Sequence, residues 1–280
     1  MKKKRRILHG FIKFTAISIL ILTLAALIHV VHAETLDKII EYKEIAFRSR
    51  DVGPELSGYR IGFVSDTHMM TDDRLAEAMD ELNGRRLDLL ALGGDYRTSL
   101  RLHSRTMEII SKASAADGIY GVEGNHDFGD LSRAMASHSI TKLSNAGQYV
   151  RGNLFIAGVE DLMNGRPDVT KSLKGSTPED FALLLSHNPD VAMLQNTSGA
   201  DLILSGHTHG GQVTCFGIWA PYFTISKTIT GYGQRFRSGW ARSANGVPVY
   251  VSNGAGEYLI RVFARPQIII ITLLPETGKS

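Results

Sequence analysis

The chain of 280 residues is 43% hydrophobic and carries 31 lysines and arginines against 28 acids, which fits a large globular domain and excludes a disordered, collagenous or coiled-coil chain. Six of those bases (Lys2, Lys3, Lys4, Arg5, Arg6, Lys13) fall within residues 1–33 without one acid, leaving 25 basic against 28 acidic residues beyond them. A slightly acidic body has no general attraction for phosphate backbones, so nucleic acid is not expected as a partner, and the single cysteine, Cys215, rules out an intramolecular disulfide.

Behind the basic run, residues Phe14 to Val31 form an apolar stretch of about 18 residues, the lower limit for crossing a hydrocarbon core. It reads two ways: as a retained anchor, or as a signal peptide cut after Ala33, since Val31-His32-Ala33 has small-residue cleavage character. Either way the positive-inside bias keeps the N-terminus in the cytoplasm and sends the body to the outer, periplasmic side. Arg5-Arg6-Ile7-Leu8 resembles a twin-arginine signal weakly and reads more simply as positive flank.

From Tyr42 onward, within a lead-in over 34–58 and beyond it, short apolar runs alternate with amphipathic stretches, the pattern of a layered α/β domain. Arg60 to Ser65 is a predicted buried strand running into Asp66-Thr67-His68, with a helix over Asp73 to Asn83. Leu87 to Leu92 is a second strand, ending in Gly93-Gly94-Asp95, and a helix follows around Leu102 to Ala115. Gly118 to Val122 ends in Gly124-Asn125-His126-Asp127. Leu154 to Val159 is a further strand, while Phe181 to Ser186 and Leu202 to Ser205 end at His187 and at His207-Thr208-His209. Five times a buried strand hands Asp, Asn or His to the next loop, the place where α/β proteins put their ligand sites. Residues 212–246, rich in glycine, aromatics and arginine, read as a long irregular loop. Val247 to Ser252 and Ile268 to Leu274 close the body as strands, before a tail over 275–280.

Asp66, His68, Asp95, Asn125, His187, His207 and His209 form an oxygen and nitrogen donor set without thiolate, suited to Mn, Fe or Zn. Seven donors exceed one tetrahedral site and fit two adjacent ions sharing a carboxylate, the arrangement used for in-line displacement at phosphorus. A serine-hydrolase reading fails, because none of Ser65, Ser186 and Ser205 sits in a G-x-S-x-G elbow. His9, His29, His32, His103 and His138 have no partners in the sequence and read as structural. The terminal Gly278-Lys279-Ser280 imitates the end of a phosphate loop, but position 273 is leucine where its first glycine is required.

In this order and spacing, DTH (66–68), GGD (93–95), GNHD (124–127), SHNP (186–189) and GHTHGG (206–211) resemble the calcineurin-like metallophosphoesterase superfamily over residues 59–274. The GHTHGGQ form, with NGAG through VFARPQI at 253–269, looks most like its bacterial membrane-associated or exported phosphodiesterase branch, which includes a UDP-2,3-diacylglucosamine hydrolase. The resemblance implies a four-layer fold, two mixed β-sheets packed as a sandwich with flanking helices, here preceded by one N-terminal hydrophobic helix. It implies one ion held by Asp66, His68, Asp95 and His209 and another by Asp95, Asn125, His187 and His207. In-line attack would come from a hydroxide bridging the two ions. His126 would serve the leaving group, with Asp127 orienting its ring. Tyr96-Arg97 departs from the usual pattern, where an apolar residue and often a further Asp are expected.

Aromatics and cations crowd together from Phe216 to Arg242, which suits an acyl chain or sugar nucleotide beside a phosphate, or a surface on lipid headgroups. The expected substrate is therefore a phosphodiester or pyrophosphate of the cell envelope, lipid-linked in the leading reading. A catalytically silent metal-binding envelope protein and a nuclease are the alternatives. The presence of His126 argues against the first and the acidic body against the second.

Overall fold

Strands that are apolar at every position must be covered on both faces, and the chain does this by stacking two sheets and placing further layers outside them. The computed structural model describes residues 2–97, 103–256 and 260–276. Leu102, the first residue of one predicted helix, and residues 277–280 of the predicted tail lie outside these.

The first sheet runs, in spatial order, β1 (Glu41–Ser49), β12 (Gln267–Pro275), β2 (Arg60–Val64), β3 (Leu89–Leu92), β4 (Ile119–Gly121) and β5 (Ile140–Lys142). Strands β2 to β5 are parallel, β12 is antiparallel to β2, and β1 runs parallel to β12 along nine residues. The second sheet runs β10 (Gly239–Arg242), β11 (Pro248–Val251), β9 (Leu202–Ser205), β8 (Phe181–Leu185), β7 (Leu154–Gly158) and β6 (Ala146–Arg151). Its four inner strands are parallel and its two edge strands antiparallel.

Because side chains alternate along a strand, each apolar run serves two cores. Ile61, Phe63, Leu89, Ala91, Ile269 and Ile271 pack with Leu183, Leu185, Leu202 and Leu204 between the sheets. Their neighbours Leu90, Leu92, Ile268 and Ile270 pack under α2 (Asp72–Asn83), α3 (His103–Ile110) and α4 (Leu131–Ser137). In α2 the apolar spacing of Leu75, Ala78, Met79 and Leu82 defines the buried stripe, Thr71 caps the first turn by accepting from the Arg74 N–H, and Asp72 and Asp73 complement the helix dipole. The outer face of the second sheet is covered more thinly, by α5 (Val169–Ser172), α6 (Val191–Leu194) and Phe236 of the 3-10 turn Gly233–Phe236.

Two stretches to which the sequence pattern assigns no element contribute regular structure. The lead-in 34–58 contains β1, so hydrogen bonding of the first sheet begins at Glu41. The segment 212–246 contains α7 (Tyr222–Ile225) and the edge strand β10. The shortness and mixed polarity of β5, β6 and β10 hid them from a pattern reading. Ahead of the body stands α1 (Lys2–Glu34), 33 residues and about 50 Å long. Among the described residues it is the helix long and apolar enough to cross a membrane, and its large apolar side chains are exposed.

Candidate metal centre

All five predicted ligand loops leave the carboxyl ends of parallel strands: β2, β3 and β4 from the first sheet, β8 and β9 from the second. They meet at one end of the sandwich, where the chain bends sharply. Asp66, His68, Asp95, His207 and His209 all hold positive φ, between 33° and 71°, a region that non-glycine residues rarely occupy. Such backbone persists where its surroundings fix it, and here hydrogen bonds do so. The Asp66 N–H donates to Gly94 O (2.9 Å), the His68 N–H to Asp95 O (3.1 Å), the His207 N–H to Asp66 Oδ1 (3.0 Å) and the His126 N–H to Asp95 Oδ1 (2.7 Å). Gly206 is required by a close approach, since a Cβ there would press on Asp66 Oδ2 well inside van der Waals contact.

The donor atoms gather into two groups, Asp66 with His68 and His209, and Asp95 with His187 and His207, each within 4.8 Å. In the second group the backbone sets both tautomers. His187 Nδ1 donates to Gly93 O (2.8 Å) and His207 Nε2 donates to Ile229 O (2.9 Å), which turns the opposite ring nitrogens toward the centre. His187 Nε2 then faces His207 Nδ1 at 3.2 Å, Asn125 Oδ1 at 3.1 Å and Asp95 Oδ2 at 3.2 Å. One proton on Nε2 could serve one of these three acceptors, whereas a cation binds all four atoms. In the first group His68 Nε2 lies 3.1 Å from His209 Nε2, and His209 Nε2 lies 3.6 Å from Asp66 Oδ1. Asp95 Oδ2 is also 3.4 Å from His68 Nε2, so it lies between the two groups. A divalent ion with bonds of about 2.1 Å separates adjacent donors by about 3.0–3.4 Å, so the residues present fit a pair of ions.

The electrostatics agree. Burial lowers the pKa of His68 to about 4 and of His207 to about 3, and burial with the neighbouring Arg261 guanidinium holds His209 well below its usual range. These imidazoles stay neutral and keep a lone pair to offer. For His187 burial also opposes ionisation, but the carboxylates of Asp95, Asp66 and Asp161 outweigh it and raise its pKa to about 10. Burial lifts Asp66 to about 6, while for Asp95 the imidazoles of His187 and His68 overcome burial and hold it well below the carboxylate range. The centre therefore demands positive charge beside Asp95.

All seven predicted ligands are thus brought together. His126, half-buried, places its ring edge-on to His68, with centroids 5.3 Å apart, and lines the adjoining cleft. Asp127 serves the backbone: its carboxylate accepts the N–H groups of Asp95 (2.7 Å), Tyr96 (2.9 Å) and Gly124 (2.9 Å), clasping the GGD and GNHD loops together. Its Oδ1 also lies 3.4 Å from the buried ring of His103, a residue the sequence gave no reason to single out. Arg261 was missed as well. Fully enclosed, it donates to the carbonyls of Asn253 (2.8 Å), Ala264 (2.9 Å) and Gly256 (2.8 Å) and approaches His209 Nδ1 at 3.4 Å. The unusual Tyr96-Arg97 pair is absorbed without disturbing the ligands. Tyr96 fills the core and donates to Val122 O (2.6 Å), while Arg97 ties Asp72 of α2 to Thr106 of α3.

A cleft of about 600 Å³ opens from the metal groups. One wall is Asp95, Asn125, His126, His207 and His209, and the other is apolar, from Val213, Tyr222, Phe223, Ile225 and Ile229. The crowded segment that supplies this wall divides its side chains. Phe223 and Phe236 are buried, whereas Phe216, Trp219, Tyr222 and Trp240 remain exposed. Its arginines act as staples, Arg237 donating to Gly210 O and Gly217 O and Arg235 to Arg242 O.

Comparison with known proteins agrees with this geometry. Residues 59–211 match the calcineurin-like phosphoesterase family. The chain is 28% identical to the metallophosphoesterase YkuE of Bacillus subtilis, over 84% of this chain and 85% of that one. It is 26% identical to YkoQ of the same bacterium, another metallophosphoesterase, over 90% and 96%. A transmembrane protein with a metallophosphoesterase domain from Danio rerio is 28% identical over 94% of this chain, which spans 63% of that longer protein. With more than half of its residues inside the family match and two groups of metal-donor side chains where its strands end, the chain belongs to the calcineurin-like phosphoesterase family and is a metal-dependent phosphoester hydrolase.

Proposed function

We propose that the protein hydrolyses a phosphodiester or pyrophosphate whose leaving or retained group carries lipid, at a centre of two divalent ions drawn from Mn, Fe and Zn. The observation that carries this reading is the junction of the two donor groups with a cleft whose far wall is apolar. When bound, the ions supply Lewis acidity that makes water a nucleophile near neutral pH and neutralises charge on phosphoryl oxygens. Asp66, His68, Asp95 and His209 would hold one, and Asp95, Asn125, His187 and His207 the other. His126 stands at the cleft, where it meets the departing oxygen and gives it a proton or stabilises its charge. Asp127 acts through the backbone, fixing Asp95 and the loop that carries His126. The apolar wall receives hydrocarbon that a small water-soluble ester lacks. Residues 59–274 form the catalytic domain in this reading, and α1 is a retained anchor, because its last turns are built into the body through His29 and His32.

The test is hydrolysis by the full chain, loaded separately with Mn, Zn or Fe, of aryl phosphomonoesters, bis(p-nitrophenyl) phosphate, nucleotide-sugar pyrophosphates and an acylated diester. Chelator-sensitive cleavage of diesters or pyrophosphates, with the acylated substrate preferred at least tenfold in kcat/KM, is expected. Equal rates on acylated and plain diesters would remove the lipid from the proposal, and preference for monoesters would remove the diester.

A further inference from the structure

We infer that an apolar rim beside the cleft, formed by Val213, which lines it, and by the exposed Phe216, Ile218, Trp219 and Ile260, lies in the headgroup layer of the same bilayer that α1 spans. The attachment of α1 to the body carries this. The His29 ring meets Phe216 at 4.3 Å and Phe263 at 5.0 Å, and the Phe216 N–H donates to His29 Nε2 at 3.4 Å. One turn later His32 stacks on Phe263 at 3.8 Å and its Nδ1 donates to Asp37 (2.8 Å). The buried Asp37 carboxylate in turn accepts the N–H groups of Phe263 (2.7 Å) and Ala264 (3.1 Å). Both phenylalanines hold φ of 51°, an outlying conformation for a bulky side chain, and both sit in this contact.

The level of the contact fixes the level of the rim. His29 lies inside the apolar run that ends at Val31, about 7.5 Å along the helix before Glu34. Phe216 therefore stands beside the last turn of membrane-compatible helix, at the depth where hydrocarbon gives way to headgroups. Around it Ile218 is 80% exposed and Ile260 75% exposed, and Ile225, at the mouth of the cleft, 83%. Several large apolar side chains this exposed beside one cleft mark an interaction site. Trp219 presents an amphipathic ring there, its indole N–H donating to Thr224 Oγ1 at 2.9 Å, as tryptophans of interfacial belts do. The rim is thus level with lipid, and Val213 joins it to the cleft that His126 and the donor groups line. Its use as a substrate entrance rests on the lipid-linked reading above, while its seating in the bilayer does not.

The chain contains two tryptophans, so Trp219 can be watched alone. The full chain carrying Trp240→Phe, reconstituted in phosphatidylethanolamine–phosphatidylglycerol vesicles, is expected to lose more than half of its emission when lipids brominated high on the acyl chain replace ordinary ones. The same difference should separate the otherwise unchanged chain from its Trp219→Phe variant. Emission indifferent to brominated lipid but fully quenched by acrylamide overturns the inference, as does a rim occupied instead by a second copy, seen as Trp219 shielded equally in detergent and in vesicles. Ile218→Glu with Ile260→Glu should lower kcat/KM about tenfold for a vesicle-embedded diester and leave bis(p-nitrophenyl) phosphate unchanged. Failure of the parent chain on every phosphoester tested would count against the proposed substrate and leave the quenching result standing.

Discussion

Both ends of the sandwich gather buried or half-buried acids, yet they neutralise them differently. At the ends where β3, β4 and β9 begin, Asp88 and Asp117 are matched by a fixed cation: Arg151 Nη1 lies 3.1 Å from Asp88 and its Nε 2.9 Å from Asp117. Asp88 Oδ2 accepts the Arg60 N–H, and Asp117 Oδ2 accepts the Tyr59 hydroxyl as well as facing Arg151. At the ends where the parallel strands finish, the ion partners of Asp66 and Asp95 within 4.0 Å, among the described residues, are imidazoles. Arg261, the buried cation beside them, is committed to backbone carbonyls. A carboxylate beside guanidinium is a finished structural pair, whereas Asp66 and Asp95 share one imidazole held in its charged form, His187, among neutral ones, and the negative charge left over suits a divalent ion. Acid content alone does not mark a site.

The comparison breaks most visibly at Asp95, which belongs to one donor group and approaches His68 of the other at 3.4 Å. Asp95→Asn keeps the size of the side chain but removes the shared charge, and should lower kcat on a diester by a factor on the order of 10³ or more. Elemental analysis should find fewer than two ions per chain. Two ions retained with activity within tenfold of the parent would show that the groups do not act as one centre. His126→Ala should cost on the order of 10²–10⁴ in kcat, less for esters whose leaving group departs easily, with the ion content unchanged. Asp127→Ala separates positioning from chemistry. It strands three backbone N–H groups, so it should lower the melting temperature as well as reduce activity by about 10–100-fold. Loss of activity with an unaltered melting temperature would return Asp127 to the side of the chemistry.

The ligand end was legible because its information is local. Each of the five loops follows a continuous apolar strand, and the residue types at the strand ends, Asp, His, Asn and again His, are the ones a two-ion site requires. What could not be read is long-range. His103 reaches Asp127 across a loop, and Arg261 reaches His209 across 52 residues, so neither pairing leaves a trace in spacing. Asp127 sits next to His126 in sequence, which suggested a partnership, but its carboxylate is occupied by amides from the GGD and GNHD loops. Strand β1 escaped for another reason: its pattern of half-buried residues is that of an edge strand, with weak alternation. The opposite end of the sandwich was illegible altogether, since Asp88, Asp117 and Arg151 become a cluster only after the sheets stack.

At that opposite end the effects are smaller and fall on stability alone. Arg151→Ala leaves Asp88 and Asp117 facing each other without their cation. Given partial solvent access this should cost about 1–2 kcal/mol, or roughly 2–6 °C in melting temperature. Activity on bis(p-nitrophenyl) phosphate should not change. A loss of activity at a temperature where the variant is fully folded would mean that the two ends communicate, and the contrast between them would have to be abandoned.

The smallest effect concerns Asp201, for which no cation is seen within 4.0 Å among the described residues. Asp201 enters β9, accepts the Ala182 N–H at 2.8 Å, and sits beside Asp51. Burial first, and then the Asp51 carboxyl, raise its pKa from 3.8 to about 6, against the backbone hydrogen bond that favours the charged form. The folded chain therefore holds this proton more tightly than the unfolded chain, so the stability it contributes is complete below about pH 4 and is lost as pH rises through 6. Asn at this position keeps an acceptor for Ala182 and can donate to Asp51, which removes the loss. Asp201→Asn should raise the melting temperature by roughly 2–4 °C at pH 8, equivalent to about 1 kcal/mol for a side chain in partial contact with solvent. The gain should vanish near pH 4. Melting curves at the two pH values decide it: a variant less stable than the parent at pH 8 would mean that Asp201 is ionised and satisfied there, finished in the same sense as Asp88 and Asp117.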